Sequence, residues 1–197
     1  MNTQLFPTPI QQPLPASTKR VCVMFADLVD STGLACALPL PEFTSLMTEL
    51  LQVLMLHTEA RGGWALSHHG DGLLSLWDEQ NAAFALMAAT ETHARAARLG
   101  LARRLGQRLQ LRVGVACGEV MMGMVGSETT AYGLPLILAR RLCDAGAPGE
   151  TLACAGMRAL VPGARMQERA PTAFQGFETP LANYRCLSAN TIKMKHG

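Results

Sequence analysis

Two aspartates in this chain stand where a rigid backbone can aim a carboxylate. Asp27 closes the apolar run Val21-Cys22-Val23-Met24-Phe25, and Asp71 lies in His68-His69-Gly70-Asp71-Gly72 between two strand-like runs. A pair of such carboxylates suits Mg²⁺, which takes oxygen ligands octahedrally and shares its remaining positions with water and substrate phosphates. Singly, each has an ordinary use: Asp before Gly favours a turn, and Asp after a strand caps the loop that follows. The elements around them decide whether they meet.

Residues 1–18 carry Pro7, Pro9, Pro13 and Pro15 among Gln and Thr, which predicts an extended tail. One domain is expected from about Lys19 to residue 190, followed by a tail over 191–197. The run ending at Asp27 predicts a strand buried on both faces. Phe43, Leu46, Met47, Leu50, Leu51 and Leu54 then show helical spacing, ended by Gly62 and Gly63. Trp64–Ser67 and Leu73–Trp77 predict a β-hairpin, with Asp71-Gly72 as its tight turn. An Ala-rich stretch from about Gln80 to Leu105 predicts a second long helix with a break at Gly100. Leu109–Cys117 and Glu119–Val125 read as two strands joined at Gly118, and residues 133–145 as a helix. Short strands are expected near Thr151–Ala155 and Asn183–Leu187, with loop between them around Pro162, Pro171 and Pro180. This order predicts an α+β fold with a ferredoxin-like βαββαβ core, its helices packed on a mainly antiparallel sheet. In that order the strands bearing Asp27 and Asp71 lie side by side.

Composition narrows the function class. Apolar residues are 49% and charged residues 16% of the chain, which suits a globular core. No apolar run approaches the roughly 18 residues that span a bilayer, and no secretory signal is visible, so a cytoplasmic protein is expected. The six cysteines have no metal-ligand spacing and read as reduced core residues. Net charge is +2; Arg95, Arg98, Arg103, Arg104, Arg108 and Arg112 form a local basic run without interleaved aromatics, which reads as a solvated face and not a nucleic-acid site. His68 and His69 are adjacent, point to opposite faces of a strand and do not form a metal pair. Met121, Met122 and Met124 read as core or dimer-contact fillers, and Arg140 as a solvated surface arginine.

Four motifs then occur in order. They are Phe25-Ala26-Asp27-Leu28-Val29-Asp30-Ser31-Thr32; Gly70-Asp71-Gly72 with Leu73 and Leu74; Arg112-Val113-Gly114-Val115-Ala116-Cys117-Gly118-Glu119-Val120 with Gly123-Met124-Val125-Gly126-Ser127; and Gly133-Leu134-Pro135-Leu136-Ile137-Leu138-Ala139-Arg140-Arg141-Leu142. Together with Pro148-Gly149-Glu150 they make the chain resemble the class III adenylate and guanylate cyclase catalytic domain family across about residues 20–157.

The resemblance implies a homodimer that converts a nucleoside triphosphate, most simply ATP, into a 3′,5′-cyclic nucleotide and pyrophosphate. Asp27 and Asp71 would bind two divalent ions per site, Mg²⁺ or Mn²⁺. Backbone amides over Leu28, Val29, Asp30, Ser31 and Thr32 would approach the phosphates, and Arg141 would reach in from the partner subunit as the catalytic cation. Three positions depart from the family pattern. Ile137 replaces the transition-state asparagine, Ser67 stands at the position of the base-selecting lysine, whose usual Asp or Thr partner falls at Thr130, and Asp30 brings a negative charge to a small-residue position. Losing one transition-state donor costs about 3 kcal/mol against barrier reductions of roughly 8–23 kcal/mol, which predicts weakened rather than abolished turnover. A regulatory nucleotide-binding module and a cyclase for GTP or a pyrimidine nucleotide are the alternative readings.

Overall fold

A computed structural model describes residues 17–125 and 127–187. The expected tails, residues 1–18 except the last two and residues 191–197, lie outside the described residues. β1 (Ser17–Leu28) starts two residues before the expected boundary, and Val21–Ala26 are buried throughout because β1 has a partner strand at either edge and helices packed on both faces. α1 (Ser31–Ala37) follows directly, a short helix that apolar spacing did not signal.

α2 (Leu40–Ala60) buries Leu46, Met47, Leu50 and Leu54, the predicted stripe, and stops at Gly62 with a φ of +72°. β2 (Trp64–His69) and β3 (Gly72–Asp78) form the hairpin. After a 3₁₀ turn at Glu79–Asn81, α3 (Ala82–Ala97) and α4 (Gly100–Arg104) reproduce the expected helix and its break.

β4 (Leu111–Val125) is one continuous strand, where two joined at Gly118 were expected. Gly118 has a φ of +150°, so it reshapes the strand without ending it. β5 (Glu128–Tyr132) folds back on the end of β4, and α5 (Leu134–Ala145) comes next. β6 (Thr151–Cys154) and β8 (Leu181–Cys186) match the two expected short strands. Between them, α6 (Ala155–Leu160) and β7 (Met166–Thr172) replace the expected loop; Pro171 is accommodated because β7 lies at the sheet edge.

The sheet runs β2-β3-β1-β4-β6-β8-β7, with β5 added to β4, and every pairing except β4 with β6 is antiparallel. Its first four strands have the order of the predicted βαββαβ core, which puts β1 between β3 and β4. Among the described residues, no helix is long and apolar enough to cross a membrane. All six cysteines are free; Cys36 alone is exposed, contrary to the core reading.

Candidate active site

Asp27 is held at the end of β1 opposite Arg112 of β4. The terminal guanidinium nitrogen of Arg112 donates to Asp27 Oδ2 at 3.1 Å, and the residue is only 8% exposed. Arg112 therefore leaves the solvated arginine run and becomes part of the site, which its place in the basic cluster of the sequence concealed. Asp27 Oδ1 faces the hairpin: a Cβ built on Gly72 would lie 3.4 Å from it and 2.8 Å from Phe25 Cζ. Gly72 thus lets the hairpin close over β1, and it belongs to β3 instead of the turn. The turn residues are Gly70 and Asp71, with the left-handed φ of +62° at Gly70.

Asp71 is half-buried at this tip, next to Gly72. Burial raises the Asp27 pKa, the negative charge of Asp71 raises it further, and Arg140 and Arg112 oppose the shift. Two neighbouring carboxylates, one with an oxygen turned away from its arginine partner, suit a divalent cation that relieves their repulsion. Among the described residues no three His, Cys, Asp or Glu side chains gather as a ready-made cage. Such a donor set leaves positions for water and phosphate, as Mg²⁺ prefers.

The segment after Asp27 differs from expectation at two residues. The Val29 amide donates to the Gln110 carbonyl at 2.9 Å and is not available to a phosphate. Asp30 takes a left-handed backbone, φ 57° and ψ 40°, and its carboxylate accepts from the Gly33 amide at 3.2 Å, capping α1. Its charge is therefore engaged locally. Leu28 is buried in β1 opposite Leu111, while Ser31 and Thr32 open α1, where first-turn amides lack intrahelical partners.

α5 reaches the site because β4 has no side chain beneath it. A Cβ on Gly114 would lie 2.0 Å from the Ala139 carbonyl oxygen and 2.5 Å from the Cys143 nitrogen, so helix backbone rests on strand backbone. Ile137 is 48% exposed. One turn later, Arg141 has a buried Nε without a hydrogen-bond partner and a terminal nitrogen 3.9 Å from Asp144. Arg140, expected at the solvated surface, instead stacks its guanidinium 4.5 Å above the Phe25 ring and contacts Asp144 through Nε at 3.2 Å. Alternation along β1 was the available signal for this contact, since Phe25 and Asp27 share a face.

Ser67 lies half-buried on β2 beside a register shift, and Thr130 lies on β5 opposite Gly123. β2 and β5 contact one another, so Ser67 and Thr130, the positions expected to select the base, sit on neighbouring elements.

Comparison with known proteins bears on the family and the fold. A family model described as the adenylate and guanylate cyclase catalytic domain covers residues 15–135. An uncharacterized protein of Mycobacterium tuberculosis (strain H37Rv) is 30% identical over 161 residues, 77% of this chain and 28% of the relative. An uncharacterized protein of Mycobacterium bovis is 31% identical over 160 residues, 80% of this chain and 38% of the relative. The chain thus spans between about a quarter and two fifths of the length of these curated relatives. Among solved structures, the adenylyl cyclase CyaB from P. aeruginosa superposes with a TM-score of 0.84 at 21% identity, over 90% of this chain and 98% of that one. The guanylate cyclase domain of RhGC from Catenaria anguillulae, in complex with GTP, gives 0.81 at 16% identity, over 88% of this chain and 99% of that one. At these identities the structural matches show the fold.

Proposed function

The chain belongs to the adenylate and guanylate cyclase catalytic domain family, and from that premise we propose that it converts a nucleoside triphosphate, ATP as first candidate, into a 3′,5′-cyclic nucleotide and pyrophosphate. The observation that carries this reading is the pairing at the strand ends: Asp27 has one oxygen held by Arg112 and the other turned to the hairpin that presents Asp71. The reaction is an in-line displacement in which the ribose 3′-oxygen bonds to the α-phosphorus, pyrophosphate departs and the 3′-hydroxyl proton passes to solvent.

In this scheme Asp27 and Asp71 hold the divalent ions, Mg²⁺ or Mn²⁺, whose chemistry when bound is to activate the hydroxyl and neutralise phosphate charge. Arg112 fixes the Asp27 carboxylate in one orientation and favours its ionised form. The amides of Ser31 and Thr32 remain candidates for phosphate contact, whereas that of Val29 does not. Arg141, with its permanent charge and planar donors, stabilises charge on the transferring phosphorus in the partner's site. Ser67 and Thr130 contact the base; neither enforces adenine. The proposed domain is 19–190, the proposed location cytoplasmic, with no nucleic-acid partner.

Support for a homodimer comes from exposed apolar side chains. Met121 and Tyr132 face one another across β4 and β5, 44% and 62% exposed, and Leu134 and Ile137 continue the patch onto α5. Such a contiguous apolar surface fits a protein interface. Ile137 also favours a second reading, a nucleotide-binding module with little turnover, because its side chain cannot donate a hydrogen bond.

Mixing inactive variants tests the shared site. Asp27→Ala and Arg141→Ala homodimers should each be nearly inactive, since both of their sites lack one part. After subunit exchange about half the dimers are mixed and each has one intact site, so roughly a quarter of wild-type activity should return. No recovery, with exchange shown by two-tag pull-down, overturns the shared-site reading. Incubation with each of the four nucleoside triphosphates, followed by mass detection of cyclic products, identifies the base. No cyclic product from any of them would support the binding-module reading.

A further inference from the structure

Consecutive residues on an α-helix point about 100° apart, so Arg140 and Arg141 cannot face the same way. Arg140 turns to its own sheet, over Phe25, which lies two residues before Asp27 on the same face of β1. The guanidinium is anchored on both sides, by the Phe25 ring at 4.5 Å and by Asp144 at 3.2 Å through Nε. Its terminal amino groups are not used by the Asp144 hydrogen bond, and half of the side chain remains open to solvent. A planar cation held in this way presents two parallel donors, the geometry that phosphate oxygens accept bidentately.

Arg140 lies over the same face of β1 that bears Asp27 of its own chain, and Arg112 is the direct partner of that carboxylate. Arg112 is already engaged with Asp27 Oδ2 through a terminal nitrogen, whereas Arg140 uses Nε for Asp144 and keeps its terminal amino groups for an incoming anion. We propose that Arg140 binds the nucleoside triphosphate in the site of its own protomer, so that the two adjacent arginines of α5 serve opposite sites of the dimer. Arg140 completes the site formed by its own Asp27 and Asp71, and Arg141 completes the partner's. This inference rests on the cyclase reading above.

Two measurements test it. The first is equilibrium binding of an α,β-methylene analogue of ATP, which keeps the phosphates and cannot cyclise, with adenosine as the phosphate-free control, both in the presence of Mn²⁺. Arg140→Ala should weaken analogue binding about tenfold or more and leave adenosine binding unchanged, while Arg140→Lys retains part of the affinity. Equal weakening for both ligands, or none for the analogue, overturns the phosphate role while leaving the cyclase reading intact. If wild-type protein binds no triphosphate, the cyclase reading itself falls, and this inference with it.

The second is complementation, which separates own-site from partner-site action. Arg140→Ala mixed with Arg141→Ala forms heterodimers with one intact site, so about a quarter of wild-type activity should return. Arg140→Ala mixed with Asp27→Ala forms none and should stay below about a tenth. The reverse pattern assigns Arg140 to the partner's site and overturns the inference.

Discussion

On the face of β1 and β4 that looks toward α5, the opposed residues are Val23 with Ala116, Phe25 with Gly114 and Asp27 with Arg112. On the other face they are Cys22 with Cys117, Met24 with Val115 and Ala26 with Val113. The second face continues into Thr151, the β6 partner of Val113, whose hydroxyl bonds the Ala89 carbonyl at 3.2 Å and His93 Nε2 at 2.9 Å beneath α3. Both faces are buried along the same strands, yet one grades from apolar to ionic within four residues and the other stays apolar, with polar groups only at its border. The difference teaches that side-chain alternation alone can hold a charged site and a packing core one residue apart. Substitutions on the α5 face should change chemistry first, and those on the α3 face should change stability first.

The largest effect is expected at the hairpin. Asp71→Asn keeps a turn-compatible residue but removes a ligand charge, so Mn²⁺-supported turnover should fall about a hundredfold or more with an unchanged circular dichroism spectrum. Unaltered activity in this variant removes Asp71 from the site. Gly72→Ala tests the same contact sterically, since its Cβ would meet Phe25 Cζ at 2.8 Å. It should lower turnover about tenfold and stability by about 1–3 kcal/mol, read by activity assay and urea titration.

Ile137→Asn should have a smaller and opposite effect. The position is exposed, so stability should change by less than about 0.5 kcal/mol, while turnover rises a few-fold, short of the roughly hundredfold that a fully aligned donor is worth, if the amide supplies part of the missing interaction. A fall in turnover at unchanged stability instead assigns Ile137 to the dimer contact.

His93→Gln, on the α3 side, should leave neutral-pH turnover unchanged. Burial lowers the His93 pKa to about 4, below the value of about 6.5 expected in the unfolded chain. Between those values the unfolded chain takes up a proton that the folded chain does not. The neutral imidazole's contribution is therefore complete above about pH 6.5 and is lost as pH falls to about 4, a change of about 3 kcal/mol. Replacing His93 should flatten urea-derived stability over that window. An unchanged slope would falsify the buried neutral state.

The central motifs were legible because they are local: an apolar run ending in Asp27, a glycine-flanked Asp71 and the ordered pattern over β4 and α5. Other features depend on partners distant in sequence. Arg112 opens the third motif and ends the arginine run, but neither place shows its partner, which the register sets as Asp27, 85 residues away in the chain. Arg140 required knowing that α5 lies over Phe25. The hairpin turn was assigned one residue late because Asp-Gly is a strong turn signal on its own, and only the packing of Gly72 on Phe25 reveals its other use. β5, α6 and β7 were missed because each is short and draws its stability from neighbouring elements rather than from its own periodicity.

The glycine beneath α5 bears on how this chain tolerates change over evolution. Since Gly114 lets main chain rest on main chain, the height of the helix above β4 at that crossing is not set by a side chain. Neighbouring core residues such as Leu142 and Val23 can drift among similar shapes without tilting the platform that carries Ile137, Arg140 and Arg141. The helix surface is then free to vary its chemistry while its position is inherited, which lets a departure as large as isoleucine for asparagine arise without disturbing the fold.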